Sequence, residues 1–546
     1  MLSELVRLGR GTARTGAPSA SALSLFVSFL AIGCGANVSA EDPPASKLKP
    51  ESAASAVPDT WSQVPVPPED GPKLAPVAMI VGVRAKPQPD AEIVGTLRVG
   101  ARVSRSAEPV TRRECPGGWY AVRPLGFVCA GADATIALDH PIARAIQVEP
   151  DRTKPMPYKY AFLRAIAPNY MRVPTKEEQF RYEMRLERHL KSFEKLQEKW
   201  DALDVGANDV PLDERGIALA KIPDHAVPMD QSVRYGGNGD DRVPWWLNGG
   251  RKIPNLASFK VPPYAVMASR MKRHGGVALI GTFVTDESAQ NRRFAITTDA
   301  RLLPADKLKA DSGSPFHGFE IRKLGLPIGI VRKRDARAYR SEDGRFMQGG
   351  AVGLRELVTL TGNSRRAGGE RFVEGRDGRW FSSDDLGIVA KPSALPAWVK
   401  KNTKWIDISL ANQTLTLWEG DTPAYATLVS TGRDGMGEPG KTLSTPQGIF
   451  RIYQKHVTTT MDSDVADHEF ELRDVPWVMY FKGGYALHGA YWHDDFGRPR
   501  SHGCVNLAPI DARYVFQWSS PGVPDHWQAT YAGDTTESGT VIHIHP

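Results

Sequence analysis

The residues able to do chemistry gather in one short stretch. Tyr485-Ala486-Leu487-His488-Gly489 is followed, after a loop, by Ser501-His502-Gly503-Cys504-Val505-Asn506. A thiol attacks only as thiolate, so a reactive cysteine needs a basic or cationic neighbour. Two histidines lie close in sequence, His502 just before Cys504 and His488 one loop earlier. Residues two apart in an extended strand share a face, so His502 is one candidate base, and His488, which ends a strand sixteen positions before the cysteine, is the other. Gly503 removes a side chain beside the nucleophile and lets backbone N–H groups face a developing oxyanion. Asn506 adds an amide. Pro509 and Asp511 then signal a helix whose N-terminal end favours negative charge near the site. Nucleophile, base and oxyanion pocket are the parts of acyl transfer.

The elements that position these groups read as β-structure. Ile406, Ile408 and Leu410 alternate with Asp407 and Ser409, and Leu415 and Leu417 with Thr414 and Thr416. Two half-buried strands joined by a turn at 411–413 follow from that pattern. Ser430-Thr431-Gly432 and Thr445-Pro446-Gln447-Gly448-Ile449-Phe450 mark turns between further strands. Residues 77–135 hold short apolar runs cut by Gly95 and Gly100, as expected of a small β-barrel. Residues 326–392 are a candidate second unit of that kind. Between them, 136–325 mixes strands and polar loops around one long helix expected over Thr175 to Trp200. It opens with the capping box Thr175-x-x-Glu178 and continues with Tyr182, Leu186, Leu190, Phe193, Leu196 and Trp200. The expected class is mainly β and multidomain.

The chain has 546 residues, 41% of them hydrophobic and 24% charged, with 51 glycines and 42 prolines. That balance excludes a coiled coil and a fully disordered chain, and no apolar run is long enough for a polytopic membrane protein. A formal net charge of +7 on this length suits a polyanionic surface and does not argue for nucleic-acid binding. Residues 1–34 read as an export signal: Arg7, Arg10 and Arg14 precede an apolar stretch ending at Gly33-Cys34. Cleavage after Val38-Ser39-Ala40 is the competing reading. Residues 35–76 are proline-rich and expected to be an extended tether. In an oxidising compartment Cys115 and Cys129 are expected to pair, stabilising by about 3 kcal/mol in the chain-entropy picture. Cys504 is then the thiol left for chemistry.

His488-Gly489, the loop, and Ser501-His502-Gly503-Cys504-Val505-Asn506 resemble the signature of the L,D-transpeptidase (YkuD) catalytic domain. Ser430-Thr431-Gly432 and Thr445-Pro446-x-Gly448-x-Phe450 resemble its upstream strand motifs. The resemblance covers roughly 402–520, within a region expected to span 400–546. It implies a β-sandwich-like fold in which Cys504 is the nucleophile and His488 the general base. Gly489 then offers the carbonyl that orients the imidazole, and Gly503 and Cys504 the N–H groups of the oxyanion hole. Ser501, His502 and Asn506 support the loop. The implied substrate is a peptidoglycan stem peptide, with transfer through a thioester to a neighbouring stem amine (a 3→3 cross-link), to the amine of an envelope lipoprotein, or to water. Tyr491, Trp492 and Arg498, in the loop between the two histidines, are candidate substrate contacts and that loop a candidate lid. Cys34 resembles a lipidated cysteine, which implies membrane attachment by a lipid anchor only, in the periplasm and at the outer membrane. Residues 77–135 resemble bacterial SH3 domains. No cofactor is implied. A metal site built from His488, His493, His502 and Cys504 has no matching ligand spacing, and His543 and His545 read as a solvated strand face. A non-catalytic wall-binding scaffold is the alternative outside the enzyme class.

Overall fold

Alternation becomes pairing in the C-terminal region. In the strands Lys404–Ser409 and Thr414–Glu419, Ile406 lies opposite Leu417 and Ile408 opposite Leu415. Thr422–Leu428 extends the hairpin, and Val541–His545 runs parallel beside Lys404–Ser409. Facing this sheet are Gln454–Ser463, Phe470–Lys482, Tyr485–Gly489 and Val505–Leu507, with the helix Pro509–Trp518. Ile406, Leu415, Val457, Met479, Leu487, Val505, Phe516 and Ile542 form their shared core. Burial of each large aliphatic side chain contributes about 1.5–3 kcal/mol. This computed structural model describes residues 60–254, 256, 262, 264–463 and 470–546. The export segment, Cys34 and residues 35–59 of the expected tether lie outside the described residues.

The strand Thr414–Glu419 is buried on both faces, where alternation implied one solvated face. Its outer side carries Trp418, stacked 5.4 Å from Trp405 and covered by Leu326 and Trp398. Nearby, Gly387 lies so close that a Cβ there would approach Leu428 Cδ2 at 2.5 Å and Thr414 Cγ2 at 2.9 Å. Gly387 belongs to a seven-stranded sheet built within 328–389 around Val331, Val358, Val373 and Phe381. A second layer supplied by another part of the chain therefore replaces solvent.

The N-terminal region is also attached by its backbone. Lys73–Pro76 is a strand with Leu74 fully buried, so ordered structure starts inside the segment expected as tether. Cys115 and Cys129 are joined by a disulfide. The strand Ile93–Arg98 pairs with Ala529–Tyr531 through Gly95 opposite Thr530. Gly95 permits this approach, since a Cβ there would lie 2.4 Å from the Ala529 carbonyl oxygen and 2.5 Å from the Trp527 ring. The central strand Gly276–Val284 meets Phe470–Lys482 at Gly276 opposite Leu472.

The helix expected over 175–200 is two helices. Lys176–Tyr182 carries the capping box, with Thr175 Oγ1 accepting the Glu178 N–H and the Glu178 carboxylate accepting the Thr175 N–H. The chain then leaves helical geometry at Glu183 and Arg185 before resuming as Leu186–Asp201. The cause is Glu183, whose side chain is fully buried between Arg292 at 2.8 Å and Lys307 at 2.9 Å and accepts from Tyr170 Oη at 3.0 Å. An unpaired buried carboxylate costs several kcal/mol, more than one helical turn contributes.

All three regions converge on Asp474. Its carboxylate pairs with Arg98 of the N-terminal region and accepts from Thr298 of the central region at 2.6 Å and from Thr458 at 2.9 Å. Tyr160 Oη donates to its backbone carbonyl at 2.8 Å. Burial alone would raise this carboxyl, but Arg98 and the two threonines outweigh it and hold it below the ordinary carboxylate range. The stabilisation is therefore complete above that range and is lost only as pH falls through the lowered value. Asp474→Ala leaves the Arg98 guanidinium buried without its counter-ion and is expected to cost about 3–5 kcal/mol, measured as the shift of the urea midpoint. A loss below about 1 kcal/mol, the scale of a surface pair, would contradict this assignment.

Candidate active site

Adjacent strands bring the sequence-distant groups together. Tyr485–Gly489 lies antiparallel to Phe470–Lys482 and parallel to Val505–Leu507, with Leu487 opposite Val505 and His488 opposite Asn506. Leu487, Val505 and Leu507 point into the core. By the two-residue period of a strand, His488, Cys504 and Asn506 take the other face. All three line one cavity of about 860 Å³, together with Ser501 and His502. Cys504 is packed among Met461, Val478, Tyr480 and Ala486, with Sγ 3.8 Å from the Gly484 carbonyl oxygen.

Two upstream motifs, legible in sequence only as turns, frame the cysteine loop. Ser430 and Asn506 exchange two backbone hydrogen bonds of 2.9 Å. The Thr431 carbonyl accepts from the Arg500 and Ser501 N–H groups, and the Gly432 N–H donates to Thr445 Oγ1 at 2.8 Å. Inside the loop, Ser501 Oγ accepts the Gly503 N–H at 3.0 Å and donates to the Cys504 carbonyl. This corrects one expectation: the Gly503 N–H is engaged by Ser501 and does not face the cavity as an oxyanion donor. Gly503 is needed for a different reason. Its φ is +116°, and a Cβ there would lie 2.5 Å from the Tyr485 ring.

Among the histidines, His488 has the arrangement of a base. Its Nδ1 lies 3.3 Å from the Gly489 carbonyl, which places the proton on Nδ1 and leaves Nε2 as acceptor. Burial, opposed by that carbonyl, pushes its pKa down to about 4. Trp492 stands over it, ring centroids 5.6 Å apart. His502 is half-buried on the cavity wall, its ring 5.1 Å from Phe470. His493 lies behind. Burial, with Arg500 and His488 nearby, pushes its pKa down to about 3, so the ring is neutral. Its Nδ1 accepts the Asp495 N–H, which puts its own proton on Nε2, 3.0 Å from the Asn506 side-chain amide. Turning the Asn506 amide oxygen toward that N–H satisfies both groups.

Two expected substrate contacts are elsewhere. Tyr491 is buried and is not on the cavity wall, because its ring packs 4.5 Å from Tyr160 and 5.5 Å from Phe162 and its hydroxyl donates to Arg473. Arg498 is exposed beside Arg332, and Arg500 and Arg433 are the arginines on the cavity. Nor is the loop 491–498 a lid free to swing. Tyr491 holds one end, Phe496 stacks on Phe316 at 5.8 Å, and Asp494 is bound by Arg355 and Ser314.

Sequence reasoning missed two groups. Asp511 does more than mark a helix start. Fully buried, it accepts from Tyr425 Oη at 2.7 Å, Thr427 Oγ1 at 2.5 Å and the Gly318 N–H at 2.8 Å, tying the helix to the opposite sheet. The other group is a cavity wall from the central region, Phe162, His274, Lys309 and Asp311, which no local motif announces. Away from the cavity, Asp407, His543 and His545 bring three possible metal-ligand atoms within 4.8 Å of one another. His543 and His545 are hydrogen-bonded to Asp407 and half-buried, which corrects the reading of a solvated face.

The base form of His488 is present above pH about 4 and is lost as pH falls through that value. Nitrogen shifts of labelled histidine should show this ring neutral, protonated at Nδ1, from pH 8 to about 5. A midpoint near the ordinary histidine value would refute the burial argument.

The family model described as the L,D-transpeptidase catalytic domain (YkuD) matches residues 403–543. The match runs to the strand that closes the sheet beside Lys404–Ser409. Similar solved structures include an L,D-transpeptidase from Xylanimonas cellulosilytica, 24% identical over 28% of this chain and 65% of that one, with a TM-score of 0.19. The catalytic domain of the E. faecium L,D-transpeptidase is 21% identical over 26% of this chain and 98% of that one, at a TM-score of 0.20. L,D-transpeptidase 3 from Mycobacterium tuberculosis is 15% identical over 34% of this chain and 79% of that one, at 0.21. The chain spans 65% and 61% of the first two structures it matches. No curated protein matches. The cysteine loop and the strand bearing His488 fall within the matched span, and residues 403–543 are similar in sequence to the L,D-transpeptidase catalytic domain.

Proposed function

We propose that this protein transfers acyl groups between peptidoglycan stem peptides through a thioester on Cys504. The observation that supports this most directly is the placement of Cys504 and His488 on one cavity, with the His488 proton fixed on Nδ1 by Gly489. With Cys504 in its reduced thiol form, Nε2 of His488 takes the thiol proton, and the thiolate attacks the carbonyl joining a diaminoacyl residue to a terminal D-alanine. The tetrahedral intermediate collapses as the imidazolium returns the proton to the departing D-alanine nitrogen, leaving the acyl group on sulfur. A stem amine then attacks the thioester, His488 accepts its proton, and the thiolate leaves to be reprotonated. An envelope-protein amine or water would enter at the same step. The arginines on the cavity wall, Arg433 and Arg500, suit a substrate rich in carboxylates. The reading includes export and lipid attachment at Cys34, and wall binding by the SH3-like regions.

Purified full-length protein should gain the mass of one carbapenem per chain, and Cys504→Ala should gain none. His488→Gln is expected to slow the acylation by about 10²–10⁴-fold, the range typical of a lost general base. Sacculi incubated with wild type, and not with Cys504→Ala, should yield 3→3-linked muropeptides. Release of D-alanine without new cross-links would identify water as the acceptor. An unmodified wild-type mass would refute the acyl-enzyme.

A further inference from the structure

The cavity does not belong to residues 403–543 alone. Its opposite wall comes from the strands Lys159–Leu163 and Leu308–Asp311, paired antiparallel with Phe162 opposite Lys309 and Tyr160 opposite Asp311. Lys309 and Asp311 are two apart in an extended strand, so they share a face about 6.6 Å apart along the chain. Both line the cavity. Lys309 is exposed to it and forms no ion pair among the described residues. Asp311 is half-buried, and its Oδ1 accepts the Gly313 N–H at 2.9 Å.

This wall is locked in register with the catalytic base. Phe162 packs on Tyr491 at 5.5 Å, Tyr491 on Trp492 at 5.2 Å, and Trp492 on His488 at 5.6 Å. Gly276 lets the central strand close on this column, since a Cβ there would lie 2.3 Å from the Tyr491 hydroxyl. Four rings in contact, tilted or edge-on to one another, thus connect the wall of strand 308–311 to the imidazole. Each buried aromatic pair contributes about 0.5–1.5 kcal/mol beyond its area, which makes the spacing stiff.

Resting on the acyl-transfer reading above, we propose that Lys309 and Asp311 form a specificity wall that reads a free amino-acid head, an ammonium and a carboxylate on one carbon, at the end of the substrate's diamino side chain. Asp311 takes the ammonium and Lys309 the carboxylate, each through a charge-assisted hydrogen bond of about 2.8 Å. Opposite charges two residues apart on one strand fit that pair better than a lone amine, which would leave Lys309 facing another cation. Burial raises the Asp311 carboxyl to about 6, against the smaller opposing effects of the Gly313 N–H and Lys309. A cation placed beside it would relieve that penalty.

Two tetrapeptides that differ only at the third residue, meso-diaminopimelate against L-lysine, separate the two cases. Wild-type protein should release D-alanine from the diaminopimelate peptide with a kcat/KM at least ten-fold higher. Lys309→Met, which keeps the stem and removes the charge, should erase that preference by lowering the diaminopimelate rate and sparing the lysine peptide the facing cation. Asp311→Asn, which keeps the acceptor for Gly313, should lower both rates. Both variants should still reach one carbapenem per chain on prolonged incubation, which separates recognition from damage to Cys504 and His488. Calorimetry of each peptide on Cys504→Ala, with and without Lys309→Met, reads the same wall without turnover. An unchanged peptide preference in Lys309→Met, by rate and by binding, would overturn the wall. Failure of the wild type to acylate, with a diaminopimelate-selective binding that Lys309→Met abolishes, would overturn the acyl-transfer reading and leave the wall standing.

Discussion

The buried pair between Arg98 and Asp474 is the constraint on which the arrangement of the regions depends. Asp474 sits in the strand Phe470–Lys482, which pairs with the strand bearing His488. Its carboxylate is satisfied only if the N-terminal region supplies Arg98 and the central region supplies Thr298. A charge at that depth without all of its partners costs several kcal/mol, so partial assembly is penalised and one arrangement is favoured. The same strand carries Leu472, which faces the cavity and meets Gly276 of the central sheet. Association of the regions and construction of the site are thus one event.

Rigidity follows the same logic inside the site. The loop 491–498 is held at Tyr491, Asp494 and Phe496 by three different neighbours, and the cysteine loop by Ser430, Thr431 and Ser501. Burial keeps His488 neutral, and neutrality is what a base requires before it takes a proton.

What the sequence made legible was local. The alternation at 406–417 forms the paired strands, the Thr175 and Glu178 capping box forms, and the His488, Ser501 and Cys504 motif closes around one cavity. The expectations that failed turned on partners far away in the chain. Helical periodicity continued through Glu183 because Arg292 and Lys307, which draw that carboxylate inward, lie more than a hundred residues later. Tyr491 read as a substrate contact because Tyr160 and Phe162 cannot be foreseen from the loop that contains it. Gly503 was assigned to the oxyanion from its place beside Cys504 and from the family resemblance, and the acceptor 3.0 Å from its nitrogen, Ser501 Oγ, is a matter of loop geometry.

The matched catalytic domain occupies about a quarter of the chain, and the rest is not inert packing around it. On the proposed reading its own residues supply the nucleophile Cys504, the base His488 and the arginines Arg433 and Arg500 of the cavity. Discrimination between substrates needs contacts beyond the reacting atoms, because a ligand group is rejected only where the site leaves a charge or polar atom unpaired. Lys309 and Asp311 are proposed to be such groups. The ring contacts Phe162–Tyr491–Trp492–His488 join their wall to the base, and Tyr160, which packs on Tyr491, donates to the Asp474 carbonyl. On the proposed reading, fold stability and substrate selection share a contact: Tyr160 packs on Tyr491 and donates to the backbone carbonyl of Asp474, whose carboxylate pairs with Arg98.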